Sequence, residues 1–338
     1  VRDFAQKEIA PRVREIDQTE RIPREIIKGM GEMGLLAPLV GEEYGGAGAD
    51  WTMATIAAEE LGRADISLAI PVLYLVEAAW GFIFYQYGTP ELKEEYLPKV
   101  TRGDAFLGIA TTEPGGGSDI LGACNTRAVQ DGDQWVCNGE KVFISGVRES
   151  MDWGGVHMML ARTDMDPEAG HKAFSFFALP LKGTEGISPT FFEDMGRMGI
   201  STGGFAMEDV RLPARHQVGQ LNRGFYHAME GFSAARTLIG ATCAGAAQAV
   251  LDLGMDHIRE RQAFGRPLAS FEGIQFPLAD LYSELEGVKL VNYKAAWTMD
   301  RKYKHGDATH YDIALDAAMA KLRAPKVGFE IMNEVANW

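Results

Sequence analysis

The sequence predicts an α+β chain in three parts: an N-terminal helical domain, a small antiparallel β domain in the middle, and a C-terminal helical bundle. Three observations carry this. Apolar residues in the first hundred positions recur at helical spacing. Between Asp104 and about Pro213 the pattern changes to short runs divided by Gly, Pro and Asp. From Asn222 the helical period returns in long segments. The expected domains are 1–103, 104–213 and 214–338. Several domains suit 338 residues, since single cores usually stop growing near ~250–300 residues.

The elements follow in order. Phe4, Ile9, Val13 and Ile16 mark a first helix. Arg24 to Met33 follows Pro23, a good first-turn residue. The loop Glu42 to Gly48 interrupts before helices at Trp51 to Arg63 and Pro71 to Tyr87. Gly88-Thr89-Pro90 closes the latter, and Glu91 opens another. In the middle domain Thr126 to Gln130 and Gln134 to Asn138 flank Asp131-Gly132-Asp133, a hairpin signal. Further strands are expected at Val156 to Ala161, Ala173 to Leu179 and Phe205 to Val210. Arg236 to Gln262 reads as a long helix rich in Gly and Ala, a face that lets other backbones approach closely. Phe276 to Tyr303 and Ile313 to Trp338 complete the bundle, with Pro325 expected to kink the last helix or mark a break. Both chain ends read as lying inside helices and are expected to be cut, the C-terminal bundle being truncated.

Composition limits the function. The chain is 46% hydrophobic and 24% charged, with a formal charge of −14. That balance argues against a nucleic-acid surface, which needs a broad basic face. It leaves room for an anionic ligand held by a few arginines or helix ends. No unbroken apolar run reaches the ~18 residues of a membrane span, so no integral membrane segment is expected. Cys124, Cys137 and Cys243 have neither metal-ligand nor disulfide spacing, which places the chain in a reducing compartment, bacterial cytoplasm or an organelle matrix. The seven histidines do not cluster, and no metal is expected.

The most informative segment is Ile109-Ala110-Thr111-Thr112-Glu113-Pro114-Gly115-Gly116-Gly117-Ser118-Asp119. Its glycines and proline leave N–H groups free beside hydroxyls, which suits a flat heteroaromatic ring or a phosphate. Alone it reads as an ordinary Gly-rich turn. It is neither a Walker loop nor a dinucleotide fingerprint, because no Gly-Lys-Ser/Thr follows and no βαβ unit surrounds it.

This segment resembles the Thr-Glu-Pro-x-x-Gly-Ser-Asp signature of the acyl-CoA dehydrogenases. Gly139-Glu140-Lys141-Val142-Phe143-Ile144-Ser145-Gly146 is similar to the family's Gly-x-Lys-x-Trp-Ile-Thr/Ser strand, and Arg259 to Gly265 to its Arg-x-x-Phe-Gly turn. Leu36 to Gly46 and Gly88 to Leu97 resemble two further family motifs, all in the family's order. The resemblance implies an FAD enzyme that takes a proton and a hydride from an acyl-CoA. It would pass electrons to an electron-transferring flavoprotein, and the usual assembly is a homotetramer. Ile109, Thr111 and Thr112 would line the flavin, and Ser118 would reach flavin or CoA phosphates. Phe143 and Ser145 would cover the ring, with Phe143 replacing the commoner Trp. Arg261 would pair with the FAD pyrophosphate and Phe264 would pack on the cofactor, both of a neighbouring subunit. Arg236 would stand near the CoA thioester. Ser233 and Glu272 depart from the family's Asp and Gln.

The family's catalytic glutamate stands either just before that arginine, where this chain has Ala235, or in a segment beyond Trp338. A different carboxylate stands out. Glu77 is the only charge between Val72 and Phe84, on a helix that lines the acyl pocket in the family. It is a candidate base for a remote, vinylogous proton, a binder of a polar acyl group, or a structural partner of an arginine. Tyr74, Trp80, Phe82 and Phe84 lean toward a short, branched or cyclic acyl chain. Two other readings stand beside the dehydrogenase: a flavin- and acyl-CoA-binding homologue without turnover, and an acyl-CoA oxidase.

Overall fold

The computed structural model describes residues 1–338. Residues 2–12 are helical in three short pieces around Pro11, and α1 (Val13–Thr19) follows. Then come α2 (Arg24–Glu32), α3 (Trp51–Ala64), α4 (Ala69–Tyr87) and α5 (Pro90–Thr101). Side-chain caps set two of the starts. Asp50 accepts the Met53 N–H ahead of α3, and Thr89 accepts the Leu92 N–H ahead of α5, with Pro90 in the first turn.

The middle of the chain forms one eight-stranded sheet. Its strands are β1 (Phe106–Ala110), β2 (Arg127–Asp131), β3 (Gln134–Ser145), β4 (Gly155–Arg162), β5 (Phe174–Leu179), β6 (Ile187–Phe191), β7 (Thr202–Pro213) and β8 (Gln217–Val218). The order is β6-β7-β3-β2-β4-β5-β8, with β1 beside β4. The sheet is antiparallel except where β4 runs parallel to β1 and meets β2 in one parallel pairing. The expectation of a small antiparallel domain holds for most of the sheet and did not include β1, a short buried run that carries no alternation to read. Helix α6 (Val147–Trp153) joins β3 to β4. Trp135, Cys137, Phe177, Phe205, Met207 and Val210 are among the residues that fill the core.

The C-terminal part holds α7 (Gly224–Glu260), the small hairpin β9 (Gln262–Ala263) and β10 (Arg266–Pro267), α8 (Glu272–Asp300) and α9 (His310–Asn337). Helix α7 begins at Gly224, close to Asn222 where the helical period returns, and runs without a break into the long segment expected from Arg236. Helix α9 runs on through Pro325, so of the two expectations there, a kink or a break, the break does not occur. Leu251, Leu285, Val288, Val327 and Ile331 pack the three helices together. The small face of α7 serves as expected: a Cβ on Gly245 would strike the backbone of Glu59, and one on Gly62 the backbone of Thr242.

Two helices, α4 and α7, are long and apolar enough to cross a membrane although neither is an unbroken apolar run. Most of each is buried inside the protein, as core helices are. The chain divides into two compact units, one of residues 1–15, 50–75 and 233–338, the other of residues 16–49 and 76–232.

Candidate active site

The site residues of the second unit gather around the end of β1, the loop after it and the end of β3. A buried ion pair organises them. Lys141 lies in β3 with no exposure, and its Nζ donates to Glu113 Oε1 at 2.7 Å and to the Thr111 carbonyl at 3.3 Å. Glu113 also accepts the N–H groups of Asn125 (2.6 Å) and Thr126 (3.1 Å) and the Cys124 thiol. Burial pushes the Glu113 carboxyl up. The Lys141 charge and these hydrogen bonds outweigh that and hold it below the ordinary carboxylate value. The Val142 N–H donates to the Thr112 carbonyl at 3.0 Å, a second tie between loop and strand. Glu113 to Gly116 then form a turn with Pro114 in its second position, closed by the Gly116 N–H on the Glu113 carbonyl.

Ile109, Thr111, Thr112, Phe143 and Ser145 are therefore brought together, and Ser118 follows on the exposed loop. Among the described residues, no hydrogen bond within the chain uses the hydroxyls of Thr111, Thr112, Ser118 or Ser145. Phe143 is 69% exposed and has φ +57, at a register slip between Val142 and Ile144 against β7. A left-handed aromatic residue left in the open is costly, and such strain collects at functional sites. Free hydroxyls beside an exposed aromatic face fit a flat, hydrogen-bonding ring system such as a flavin.

Arg236, Arg261 and Phe264 belong to the other unit. Arg261 is exposed just after α7, and Phe264 is 97% exposed at the tip of the β9–β10 hairpin. Ala235 and Ser233 are buried in α7, and Glu272 is exposed at the start of α8.

Glu77 is 1% exposed on α4. Burial pushes its carboxyl well above the usual carboxylate range. The Leu107 N–H of β1, which it accepts, and the charge of Arg24 pull in the opposite direction. Its Oε2 is buried with no hydrogen-bond partner, and so is one guanidinium nitrogen of Arg24. No group of three His, Cys, Asp or Glu among the described residues is placed to hold a metal ion.

Glu113 and Lys141 are members of the two motifs, but the motifs by themselves assign them no role. A signal was present: alternation along β3 puts Lys141 on the inward face with Trp135 and Cys137, where a lysine needs a partner.

Three family models match in chain order: the acyl-CoA dehydrogenase N-terminal domain at residues 1–104, middle domain at 108–210 and C-terminal domain at 222–337. The 3-(aryl)acrylate reductase of Clostridium sporogenes is 37% identical over 336 residues, covering 98% of this chain and 84% of the relative. The chain belongs to the acyl-CoA dehydrogenase family. It is an FAD-dependent flavoprotein, an oxidoreductase acting on CH–CH groups. The cyclohex-1-ene-1-carbonyl-CoA dehydrogenase of Syntrophus aciditrophicus is also 37% identical, over 309 residues, covering 90% of this chain and 72% of that enzyme. Among solved structures, a chain from the work on the electron transferring flavoprotein of Acidaminococcus fermentans and flavin-based electron bifurcation superposes with a TM-score of 0.90. It is 30% identical and covers 99% of this chain and 84% of that one.

Proposed function

We propose that this acyl-CoA dehydrogenase oxidises a short, aryl-bearing or cyclic acyl-CoA and passes the electrons to an electron-transferring flavoprotein in bacterial cytoplasm or an organelle matrix. The observation that carries the reading is the strained, exposed Phe143 beside the free hydroxyls of the Thr111–Thr112 loop. In this reading Ile109, Thr111, Thr112, Ser118, Phe143 and Ser145 hold the flavin. Arg236 stands near the CoA thioester, and Ser118 reaches a CoA or flavin phosphate. Bound FAD supplies the hydride acceptor. Two relatives, a 3-(aryl)acrylate reductase and a cyclohex-1-ene-1-carbonyl-CoA dehydrogenase, support the acyl class. The description of the Acidaminococcus structure supports the electron partner.

Glu77 is the carboxylate assigned to proton abstraction. Its support is burial among apolar residues, a raised pKa and an unpartnered Oε2 that can accept a proton. A base must be ionised, so turnover should rise with pH through the raised pKa of Glu77. Glu77→Gln keeps the size and should lower kcat by a factor on the order of hundreds with KM nearly unchanged. A raised KM with kcat kept would instead make Glu77 a binder of the acyl group. Unchanged kinetics would leave it as the tie between α4 and the Leu107 N–H.

Arg261 and Phe264 are assigned to the cofactor of a second copy in a homotetramer. Exposed Leu290, Trp297, Tyr311, Leu315, Leu322 and Phe329 on α8 and α9 support an assembly that covers them. The decisive experiment mixes purified yellow protein anaerobically with candidate acyl-CoA thioesters. Bleaching of the flavin absorbance, followed by reoxidation with the flavoprotein rather than oxygen, is expected. No bleaching would mark a binding homologue, and oxygen consumption an oxidase.

A further inference from the structure

The end of β3 has weak support of its own. Ser145 lies between the register slip at Phe143 and Gly146, which has φ +81 and turns the chain into α6. Towards β7 it is held by pairing with Thr202 and by the Gly146 N–H on the Ser201 carbonyl at 2.8 Å. The Ser145 carbonyl is taken by a side chain instead: His157 Nε2, on β4, lies 3.2 Å away.

That imidazole is fixed on every side. It is fully buried, with ring centroids of Phe106 at 5.6 Å and Phe205 at 6.1 Å. A Cβ on Gly108 would come within 2.9 Å of the ring, so glycine there is what lets histidine fit. Its Nδ1 lies 3.2 Å from Ser150 Oγ on α6. A carbonyl can only accept, so Nε2 carries the hydrogen and the Ser150 hydroxyl donates to Nδ1. Burial pushes the pKa of His157 down to about 4, against the pull of the Ser145 carbonyl, which keeps the ring neutral and this tautomer in place. Helix α6 is anchored in turn by Glu149, whose carboxylate accepts the Ser201 hydroxyl at 2.5 Å and the Ser201 N–H at 3.3 Å. A phenylalanine would suit the aromatic surroundings but would leave a buried carbonyl and hydroxyl unpaired.

We infer that His157 is a positioning residue for the flavin: through the Ser145 carbonyl it fixes the strand end that faces the cofactor, with Ser150 and α6 holding the imidazole. This rests on the proposed place of Ser145 beside the flavin. The full-length protein carrying His157→Phe should be compared with His157→Gln and Ser145→Ala. The measurements are FAD affinity by reconstitution of apoprotein, the flavin midpoint potential and the thermal midpoint of the apoprotein.

His157→Phe should weaken FAD binding about tenfold, the scale of one lost buried hydrogen bond, and shift the potential. His157→Gln, whose amide can still donate to the carbonyl, should recover most of both. If His157→Phe does not fold, Ser150→Ala is read in the same direction with a smaller change. A variant that loses only thermal stability, with affinity and potential at wild-type values, overturns the inference. Ser145→Ala separates the two layers. If it changes affinity or potential while His157→Phe does not, the positioning role alone falls. If Ser145→Ala changes neither, Ser145 does not serve the flavin, and both readings fall.

Discussion

Phe143 and Phe264 share one unusual conformation and differ in everything that supports it. Both are exposed aromatics in the left-handed region, with φ +57 and +50. Phe143 sits inside a long strand, with the Lys141–Glu113 pair two residues before it and Phe192 at 5.6 Å. Phe264 sits with Gly265 at a two-residue turn, both at positive φ, as a type I′ hairpin requires. Its ring has only Phe271 near it, at 6.2 Å, and it stays 97% exposed. Asparagine or aspartate is the usual choice at that turn position, so the hairpin itself gives no reason for phenylalanine there. One strained aromatic is built into a strand and the other stands open at a turn, so the roles proposed for them can be tested separately.

The largest expected effect comes from removing what supports Phe143. Lys141→Met leaves Glu113 buried without its cation, a change worth ~3–5 kcal/mol. Chemical denaturation should show that loss, and the Thr111–Thr112 loop should release FAD. The sign of the pH dependence should also reverse. In the wild type the lowered pKa of Glu113 gives stability that is present above about 4.5 and lost as pH falls through the folded value. In the variant, uncompensated burial favours the protonated acid, so stability should fall as pH rises above that value. Denaturation midpoints across pH 3–8 would check it, and parallel curves for the two proteins would refute the pair's role.

A middle-sized effect is expected at Phe143 itself. Phe143→Asn tolerates the backbone but removes the aromatic face. FAD affinity should fall about tenfold, a loss comparable to one aromatic contact, while the apoprotein melts no lower than wild type. An apoprotein that melts several degrees lower would instead make Phe143 a structural residue.

The smallest effect sharpens the comparison most. Phe264→Asn should leave the chain's fold intact and relieve the turn, raising the hairpin's own stability by less than about 1 kcal/mol. FAD retention should nevertheless fall, together with that of Arg261→Ala, and the loss should grow on dilution as copies separate. Retention that is independent of protein concentration, in a protein that stays monomeric, would remove the second-copy assignment of both residues.

Much of this was readable from residues alone, for particular reasons. Helix α3 was legible from its helical apolar pattern after Asp50, and α4 and α8 as long helical segments whose starts lie two and four residues before the ones expected. The hairpin β2–β3 was legible from Asp131-Gly132-Asp133. The loop Ile109 to Asp119 was assigned to a cofactor only through several motifs in order, since its glycines alone fit many turns. The start of α7 was legible only as the return of the helical period at Asn222, because no sharp cap signal marks it. Strand β1, whose residues are buried on both faces, was not legible.

The sequence by itself determined the helix–sheet–helix order and the local chemistry of each motif, because periodicity, turn residues and motif spacing are properties of neighbours along the chain. The tertiary structure decided which charges are partners. Lys141 finds Glu113 across 28 positions, Glu77 finds the Leu107 N–H across 30, and His157 finds the Ser145 carbonyl across a turn and a helix. A buried charge or imidazole is tolerable only with a specific partner at hydrogen-bond distance, and that distance exists only once the strands and helices have packed.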